Sequence, residues 1–245
     1  MVATSLACLA AIREVDTKNE VQVPSLVAGH SLGEYTALAL AGVLDFTTAI
    51  FLARERGRLM HESGLKNPGG MAAVIGLGEA ELDEICRFAG THIANFNSPS
   101  QLVISGAKEN LKKANDLAKE RGARRVIPLE VSGAFHTPLM KPAAKGLADV
   151  IKNIEFRDPK IGIVANTSAR ILATAGEVKS ELLDQLTHGI QWQRSIEFMV
   201  SQGISTFVEI GPGSVLSGLI RRINGEVRVF SAGDVETIQN YSCLI

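Results

Sequence analysis

The chain alternates short apolar runs with longer segments in which apolar residues recur every three or four positions. That spacing predicts helices at residues 2–15, 32–42 and 46–60, and the continuous apolar run at 24–29 predicts a buried strand. Asp45 precedes the third helix as an N-cap residue. The first helix runs directly into charged residues and has no basic leader, so we expect a core helix rather than a signal peptide.

A Pro-Gly-Gly break at residues 68–70 begins a segment with a different pattern. Its periodicity changes between strand and helix in the order β-α-β-β-α-β, at residues 71–77, 79–89, 91–96, 101–105, 108–121 and 125–131. This order is typical of a ferredoxin-like module. We therefore expect a small domain at 66–131, inserted into a large domain made of residues 1–65 and 132–245.

The rest of the chain returns to alternating strands and helices. Helices are predicted at 137–153, 176–188, 192–202 and 214–223, and strands at 161–166, 206–210 and 228–231. Such alternation favours a largely parallel sheet that is covered by helices on both faces. The predicted fold class is therefore α/β, with a parallel sheet in the large domain and a ferredoxin-like insert.

Composition and charge exclude several classes of protein. Apolar residues make up 46% of the 245 positions, which is typical of a globular chain, and the formal net charge of −1 argues against nucleic-acid binding. No apolar stretch reaches the length of a membrane helix. Cys8, Cys86 and Cys243 have neither metal-ligand spacing nor an even-numbered disulfide framework, so we expect a cytoplasmic protein without a metal.

Residues 29–34 read Gly-His-Ser-Leu-Gly-Glu and lie between the predicted strand and the predicted helix. Glycines on both sides of Ser31 would let a strained turn close without Cβ clashes, so that the hydroxyl stands out from it. The N–H groups of the following helix would face an oxyanion formed there. A five-residue match also occurs by chance, but its position between strand and helix favours a nucleophile at Ser31.

A nucleophilic serine needs a base, and the chain has five histidines: His30, His61, His92, His136 and His188. His136 lies in a loop of small residues, 132–138, at the end of a predicted strand and between the two predicted domains. Loops in this position commonly carry active-site residues. The position in the chain favours His136 as the base. The alternative that His136 is only a surface or core histidine stays open.

Arg54, Arg56 and Arg58 are candidates for binding a charged substrate. They lie two residues apart on one predicted helix and point in different directions, so at most one or two can face Ser31. An arginine fork binds a carboxylate through two N–H groups, whereas the alternative is three solvated side chains. The Gly-Pro-Gly at 211–213 lacks the lysine of a P-loop, so a structural turn is expected.

Several motifs, in order along the whole chain, resemble those of one enzyme family. They are Gly-His-Ser-Leu-Gly-Glu at 29–34, Arg-Gly-Arg-Leu-Met at 56–60, Gly-Gly-Met-Ala-Ala-Val at 69–74, Asn-Phe-Asn-Ser-Pro at 95–99, Ser-Gly-Ala-Phe-His at 132–136, Gln-Trp at 191–192 and Glu-Ile-Gly-Pro-Gly at 209–213. The chain resembles the malonyl-CoA:acyl-carrier-protein transacylases of fatty acid synthesis and the acyltransferase domains of polyketide synthases.

This resemblance implies an α/β-hydrolase-like large domain with a ferredoxin-like insert. It also implies transfer of a malonyl group from malonyl-CoA to the phosphopantetheine thiol of acyl carrier protein, through a malonyl-serine intermediate. The implied protein is a cytoplasmic monomer that needs no cofactor and binds neither nucleic acid nor membrane.

The resemblance also implies roles for individual residues. Ser31 corresponds to the serine that is malonylated, His136 to its base and Arg56 to the partner of the malonyl carboxylate. Gln185 would orient the histidine through its backbone carbonyl, and Leu32 would supply a backbone N–H to the oxyanion.

Substrate-binding roles are implied for four more residues: His30, Met60, Asn97 and Phe135. Phe135 would fill the space that a methyl branch on the acyl group would need, as in malonyl-specific acyltransferases.

One feature of the family has no counterpart in this sequence. Family members begin with a strand carrying Gly-Gln-Gly-Ser-Gln, whose first glutamine contributes the second oxyanion N–H. Nothing in the chain matches it, so that strand and half of the oxyanion hole are expected to be absent.

Two alternatives to the transferase stay open, one because hydrolases share the serine turn and one because of the missing strand. One is a serine esterase or thioesterase, which predicts an acidic triad member between the serine and the histidine and no buried arginine. The other is an inactive truncated remnant of the transacylase.

Overall fold

The computed structural model describes residues 1–15 and 23–239 as a mixed α/β fold, and Cys243 lies outside these ranges. The helices are α1 Val2–Val15, α2 Glu34–Leu40, α3 Phe46–Lys66, α4 Glu79–Ala89, α5 Lys108–Glu120, α6 Lys141–Ile151, α7 Ala175–Thr187, α8 Trp192–Ser201, α9 Val215–Ile223 and α10 Val235–Gln239. The strands are β1 Leu26–Ala28, β2 Gly69–Ile75, β3 His92–Ser98, β4 Gln101–Ala107, β5 Arg125–Leu129, β6 Gly162–Val164, β7 Ile171–Leu172, β8 Thr206–Ile210 and β9 Arg228–Ala232.

The strands outside the insert form two small sheets rather than the single sheet that was predicted. In one sheet β1 pairs with β6 in parallel and β6 pairs with β7 antiparallel, and in the other β8 pairs with β9 in parallel. The parallel pairs agree with the predicted α/β class. The two-residue strand β7 is too short to show any periodicity, which explains why the sequence pattern did not reveal it.

The insert forms a four-stranded antiparallel sheet in the order β3-β4-β2-β5. One face of this sheet packs against α4 and α5 through a separate apolar cluster that includes Leu82, Ile85 and Ile104. Strand order and helix placement confirm the predicted ferredoxin-like arrangement. The exact domain boundaries, 1–65 with 132–245 and 66–131, stay a prediction.

Strand β3 connects the insert to the rest of the chain. The N–H of Phe96 donates to the carbonyl of Ile190 at 2.8 Å, and the N–H of Ile190 donates to the carbonyl of Ala94 at 2.9 Å. A Cβ at Gly189 would lie 2.6 Å from the carbonyl oxygen of Ile93, so the two segments approach this closely only with glycine there.

The helix bounds differ from the predicted ones mainly at their ends. Asp45 caps α3 as expected, accepting from the N–H of Thr48 at 2.8 Å, but the helix continues beyond residue 60 to Lys66. The helix predicted at 137–153 is instead a 3-10 turn, Pro138–Met140, followed by α6. The C-terminal helix α10 was not predicted.

The main apolar core lies between α1, α2, α3, α6 and α7, and its fully buried members include Tyr35, Leu38, Leu52 and Leu147. Within residues 1–15 and 23–239, no helix has both the length and the apolar character needed to cross a bilayer.

Candidate active site

Ser31 lies in a strained turn between β1 and α2. Its φ is +50°, a conformation that costs a non-glycine residue about 1–3 kcal/mol. A Cβ at Gly29 would lie 2.1 Å from the carbonyl carbon of Gly33, so the turn requires glycine at 29. The expectation that the turn also needs glycine at 33 is wrong, because the φ of Gly33 is −62° and a Cβ there would meet nothing within 4 Å. Leu32 follows in the 3-10 turn Ser31–Gly33.

His136 is placed to act on Ser31. Its Nε2 is 2.9 Å from the Ser31 Oγ, and its Nδ1 is 2.6 Å from the backbone carbonyl oxygen of Gln185. A carbonyl only accepts, so Nδ1 carries the proton and Nε2 is left to accept from the serine hydroxyl. Burial and then the Arg56 cation lower the pKa of His136 to about 3, which keeps the imidazole neutral. A neutral acceptor is the form a general base needs.

Arg56 projects from α3 into the same cluster. It is 5% exposed, and its Nη2 donates to the Ser31 Oγ at 2.8 Å and to the Gln185 Oε1 at 2.9 Å. Its Nε–H has no partner, and no carboxylate of the described ranges forms an ion pair with it. The neighbouring arginines differ: Arg54 is exposed, and Arg58 pairs with two glutamates at the surface.

The backbone of Ser31 is held on both sides by side-chain amides. Its N–H donates to the Asn166 Oδ1 at 2.7 Å, and its carbonyl accepts from the Gln185 Nε2 at 3.0 Å. The sequence pattern did not single out Asn166. The one sequence signal for Asn166 is its position at the end of the predicted strand 161–166. In the structure β6 pairs with β1 in parallel, so the carboxyl ends of the two strands meet at one edge of the sheet.

Glu34 is a second residue that the sequence pattern did not single out. It is fully buried. Its Oε1 accepts from the Asn166 Nδ2 at 2.8 Å, and its Oε2 accepts from the Gln185 Nε2 at 2.5 Å. Burial, followed by the nearby Glu181 carboxylate, raises the pKa of Glu34 to about 8. An acidic residue at the start of an apolar helix was the available signal.

The predicted substrate-binding residues occupy three different environments. The His30 Nε2 lies 2.8 Å from the Asn97 Oδ1, and its ring is 5.5 Å from that of Trp192. Phe135 packs between the main core and the insert sheet, whereas Met60 is buried within the main core. Their substrate-binding roles stay predictions, as does that of Leu32 in the oxyanion hole.

A cleft of about 880 Å³ leads from His136 to the surface between the insert and the rest of the chain. Side chains from both parts line it, including Arg87, Thr91 and His92 on one side and Thr167 and His188 on the other. Within residues 1–15 and 23–239, no three His, Cys, Asp or Glu side chains converge to hold a metal ion. The cluster can therefore activate Ser31, and its histidine also lines a cleft large enough for an extended ligand.

Residues 6–237 match the acyl transferase domain family. The chain belongs to this family. It is 38% identical over 244 residues to the malonyl CoA-acyl carrier protein transacylase of Bacillus subtilis strain 168, a match that covers 98% of this chain and 75% of the relative. It is 42% identical over 216 residues to the protein of that name from Haemophilus influenzae, a match that covers 86% of this chain and 69% of the relative.

Solved structures of this acyl transferase family have the same fold. A malonyl-transacylase in complex with its type II PKS acyl-carrier protein superimposes with a TM-score of 0.91 at 40% identity, over 96% of this chain and 77% of that one. The MCAT of Streptococcus pneumoniae gives a TM-score of 0.91 at 35% identity, over 100% and 79%. The family resemblance and the α/β fold class are thereby confirmed.

Proposed function

We propose that this acyl transferase moves a malonyl group from malonyl-CoA to the phosphopantetheine thiol of an acyl carrier protein, through malonyl-Ser31. The names of its relatives supply the two substrates. The observation that carries the proposal is Arg56, a buried guanidinium 2.8 Å from the nucleophile and without a carboxylate partner in the described ranges. Such a cation is matched to an acyl group that itself carries a carboxylate.

In the first half-reaction His136 accepts the Ser31 proton as Oγ attacks the thioester carbonyl. The oxyanion lies at the first turn after the serine, where the N–H of Leu32 faces it. When the tetrahedral intermediate collapses, the C–S bond breaks and the imidazolium returns the proton to the CoA thiolate. The malonyl group is then an ester of Ser31.

The second half-reaction runs through the same groups in reverse. The carrier protein's thiol reaches the ester along the cleft, and His136 takes the thiol proton as the sulfur attacks. Collapse breaks the ester bond and returns the proton to the Ser31 Oγ. The result is ping-pong kinetics, with each product released before the next substrate reacts.

Arg56 selects the acyl group. The malonyl carboxylate pairs with the guanidinium, whose Nε–H otherwise has no partner. An acetyl group leaves this buried charge unpaired, and breaking a buried pair costs about 3–5 kcal/mol. The transferase therefore prefers dicarboxylic acyl groups over monocarboxylic ones.

The hydrolase alternative is not favoured by the site. It requires a carboxylate behind the histidine and no buried arginine. Instead the Nδ1 of His136 meets the backbone carbonyl of Gln185, which follows it in the chain, and Arg56 is buried beside Ser31. We also propose a cytoplasmic location, which the free thiols of Cys8 and Cys86 support.

The test of the proposed function is incubation of the protein with malonyl-CoA, followed by mass spectrometry of the peptide that contains Ser31. We expect a stable malonyl ester on Ser31 with release of one CoA, and loss of the ester when acyl carrier protein bearing phosphopantetheine is added. Release of free malonate without a stable ester would favour the hydrolase. Absence of both products would favour the inactive remnant.

A further inference from the structure

The two amides that hold the Ser31 backbone are themselves held by one carboxyl group. The Asn166 Nδ2 donates both to the Gly29 carbonyl at 2.8 Å and to the Glu34 Oε1 at 2.8 Å. The Gln185 Nε2 donates to the Ser31 carbonyl at 3.0 Å and to the Glu34 Oε2 at 2.5 Å. Glu34 therefore joins the loop after β6 to α7 directly beneath the nucleophile.

Each amide has one donor end and one acceptor end, and a rotation of 180° exchanges them with little change in shape. A carboxylate only accepts, so it attracts the NH2 end of each amide. With Nδ2 facing Glu34, Asn166 presents its oxygen to the Ser31 N–H, and Gln185 in the same way presents its oxygen to Arg56. If either amide turned over, like groups would face each other at Ser31 or at Arg56.

We propose that Glu34 is a positioning residue for acyl transfer, whose carboxylate orients the Asn166 and Gln185 amides so that they hold the nucleophile's turn and Arg56 in the reactive arrangement. This inference rests on the proposed function, since it is expressed in the rate of Ser31 acylation. Because the Glu34 side chain reaches Ser31 and Arg56 only through the two amides, its effect is on geometry and not on the reacting atoms.

The burial of Glu34 supports a role beyond packing. A fully buried carboxyl group without a directly bonded cation is costly, and an apolar side chain of similar size would fill the same volume. The charged and titratable groups around it are Arg56 on α3, which it reaches through Gln185, Tyr35 on its own helix, and Glu181 on α7. None of these donates a hydrogen bond to Glu34 in the described structure.

The test is the nearly isosteric substitution Glu34→Gln in the full chain, which replaces one acceptor oxygen by a donor. The malonylation of Ser31 is followed in a single turnover, and active-site titration gives the fraction of competent enzyme separately. At pH 9 we expect the rate constant per competent site to fall about 10- to 100-fold, the effect of a small displacement of a reacting group. We expect the KM for malonyl-CoA to change much less, because the substrate carboxylate itself pairs with Arg56.

The pH profile is a readout that a role in folding alone would not alter. Protonated Glu34, like glutamine, offers a donor at one position. The wild-type rate constant is therefore expected to rise between pH 7 and pH 9 as Glu34, whose pKa is about 8, loses its proton. Glu34→Gln is expected to lack this rise and to match the wild type at pH 6.5.

Glu177→Gln is the matched control. Glu177 is also a helix-associated carboxylate, and it forms a capping box with Thr174 at the start of α7, the helix that carries Gln185. The two residues are about 12 Å apart along that helix. The control is expected to lower the temperature of unfolding and to leave the rate constant and its pH profile unchanged.

Glu34→Asp is the second variant in case Glu34→Gln does not fold. It keeps both acceptor oxygens but draws them back by one methylene. We therefore expect its rate constant at pH 9 to lie between that of the wild type and that of Glu34→Gln. A wild-type rate constant per competent site at pH 9 in either folded variant would overturn the inference. If the wild type itself forms no malonyl-Ser31, it is the proposed function that fails.

Discussion

Two units of the described structure each run from a short parallel strand through a glycine turn into a helix, and the turn of the first holds the proposed nucleophile. The first is β1, residues 29–33 and α2, and the second is β8, residues 211–214 and α9. In the second turn the left-handed positions belong to Gly211 and Gly213, with φ of +126° and +89°. In the first turn the left-handed position belongs to the serine itself.

The two units also differ at the start of the helix. Glu209 accepts from the N–H groups of Leu216 at 3.1 Å and Ser217 at 2.7 Å, so the chain supplies its own anion to α9. The turn at Ser31 has no side-chain cap. The comparison shows that glycine spacing alone does not mark a site, because an N-terminus that is already occupied by an internal carboxylate is not open to a ligand.

The largest expected effect is that of Ser31→Ala, with Ser214→Ala in the second turn as its control. Ser31→Ala removes the nucleophile, so malonyl-enzyme formation from malonyl-CoA should fall by at least about 10³-fold, as measured by mass spectrometry. Ser214→Ala, at the exposed serine of the second turn, should leave the rate unchanged. Malonylation that persists in Ser31→Ala would contradict the assignment of the nucleophile.

Arg56→Ala tests the cation that lies beside the first turn. The preference for malonyl-CoA over acetyl-CoA, measured as the ratio of kcat/KM values, should fall about 10²- to 10³-fold because no cation remains to pair with the carboxylate. Arg58→Ala removes an exposed arginine of the same helix and should leave the ratio unchanged. Equal ratios in wild type and Arg56→Ala would show that selectivity lies elsewhere.

Glu209→Gln tests the carboxylate that occupies the second helix start. The free energy of unfolding, measured with urea, should fall by about 0.5–1 kcal/mol because the charge opposite the N–H groups of α9 is lost. The rate of Ser31 malonylation should stay the same. A fall in that rate without a loss of stability would mean that the second turn also serves the reaction.

The smallest expected effect is the response of Ser31 malonylation to acid. Because burial and Arg56 hold the pKa of His136 near 3, the base stays neutral and the rate constant should be flat from pH 6.5 to pH 4.5. A histidine titrating at its ordinary 6.5 would lower the rate constant about 15-fold between pH 6.5 and pH 5. A midpoint near pH 6.5 in single-turnover experiments would therefore contradict the lowered pKa of His136.

The same shift makes the protein less stable in acid. The unfolded chain binds a proton at this histidine below about pH 6.5, whereas the folded chain does so only near pH 3. The contribution of His136 to the free energy of unfolding is therefore lost as the pH falls through this window.

Local patterns predicted the elements whose formation depends on neighbouring residues. The N-cap residue Asp45 before an apolar pattern was sufficient to predict α3, and the periodicity of residues 79–89 was sufficient to predict α4. The division of the strands into two sheets could not be predicted, since it depends on pairings between distant segments such as β1 and β6.

The same distinction applies to the site. Ser31 carries a local motif, and the family resemblance assigned roles to Arg56 and His136. The contributions of Asn166 and the Gln185 side chain depend on hydrogen bonds to a serine 135 and 154 residues away in the chain. No periodicity or short motif encodes such contacts, and only the packed structure brings them together.

The attachment of β3 to the segment around Ile190 has a consequence for how the cleft works. Opening the cleft by a hinge would break the hydrogen bonds of Phe96 and Ile190 and the contact between His30 and Asn97. These bonds lie beside the site, so a wide opening would cost several of them at once. The cleft beside His136 is thus preformed, and the CoA thioester and the carrier protein's thiol can enter it in turn without waiting for a lid to move.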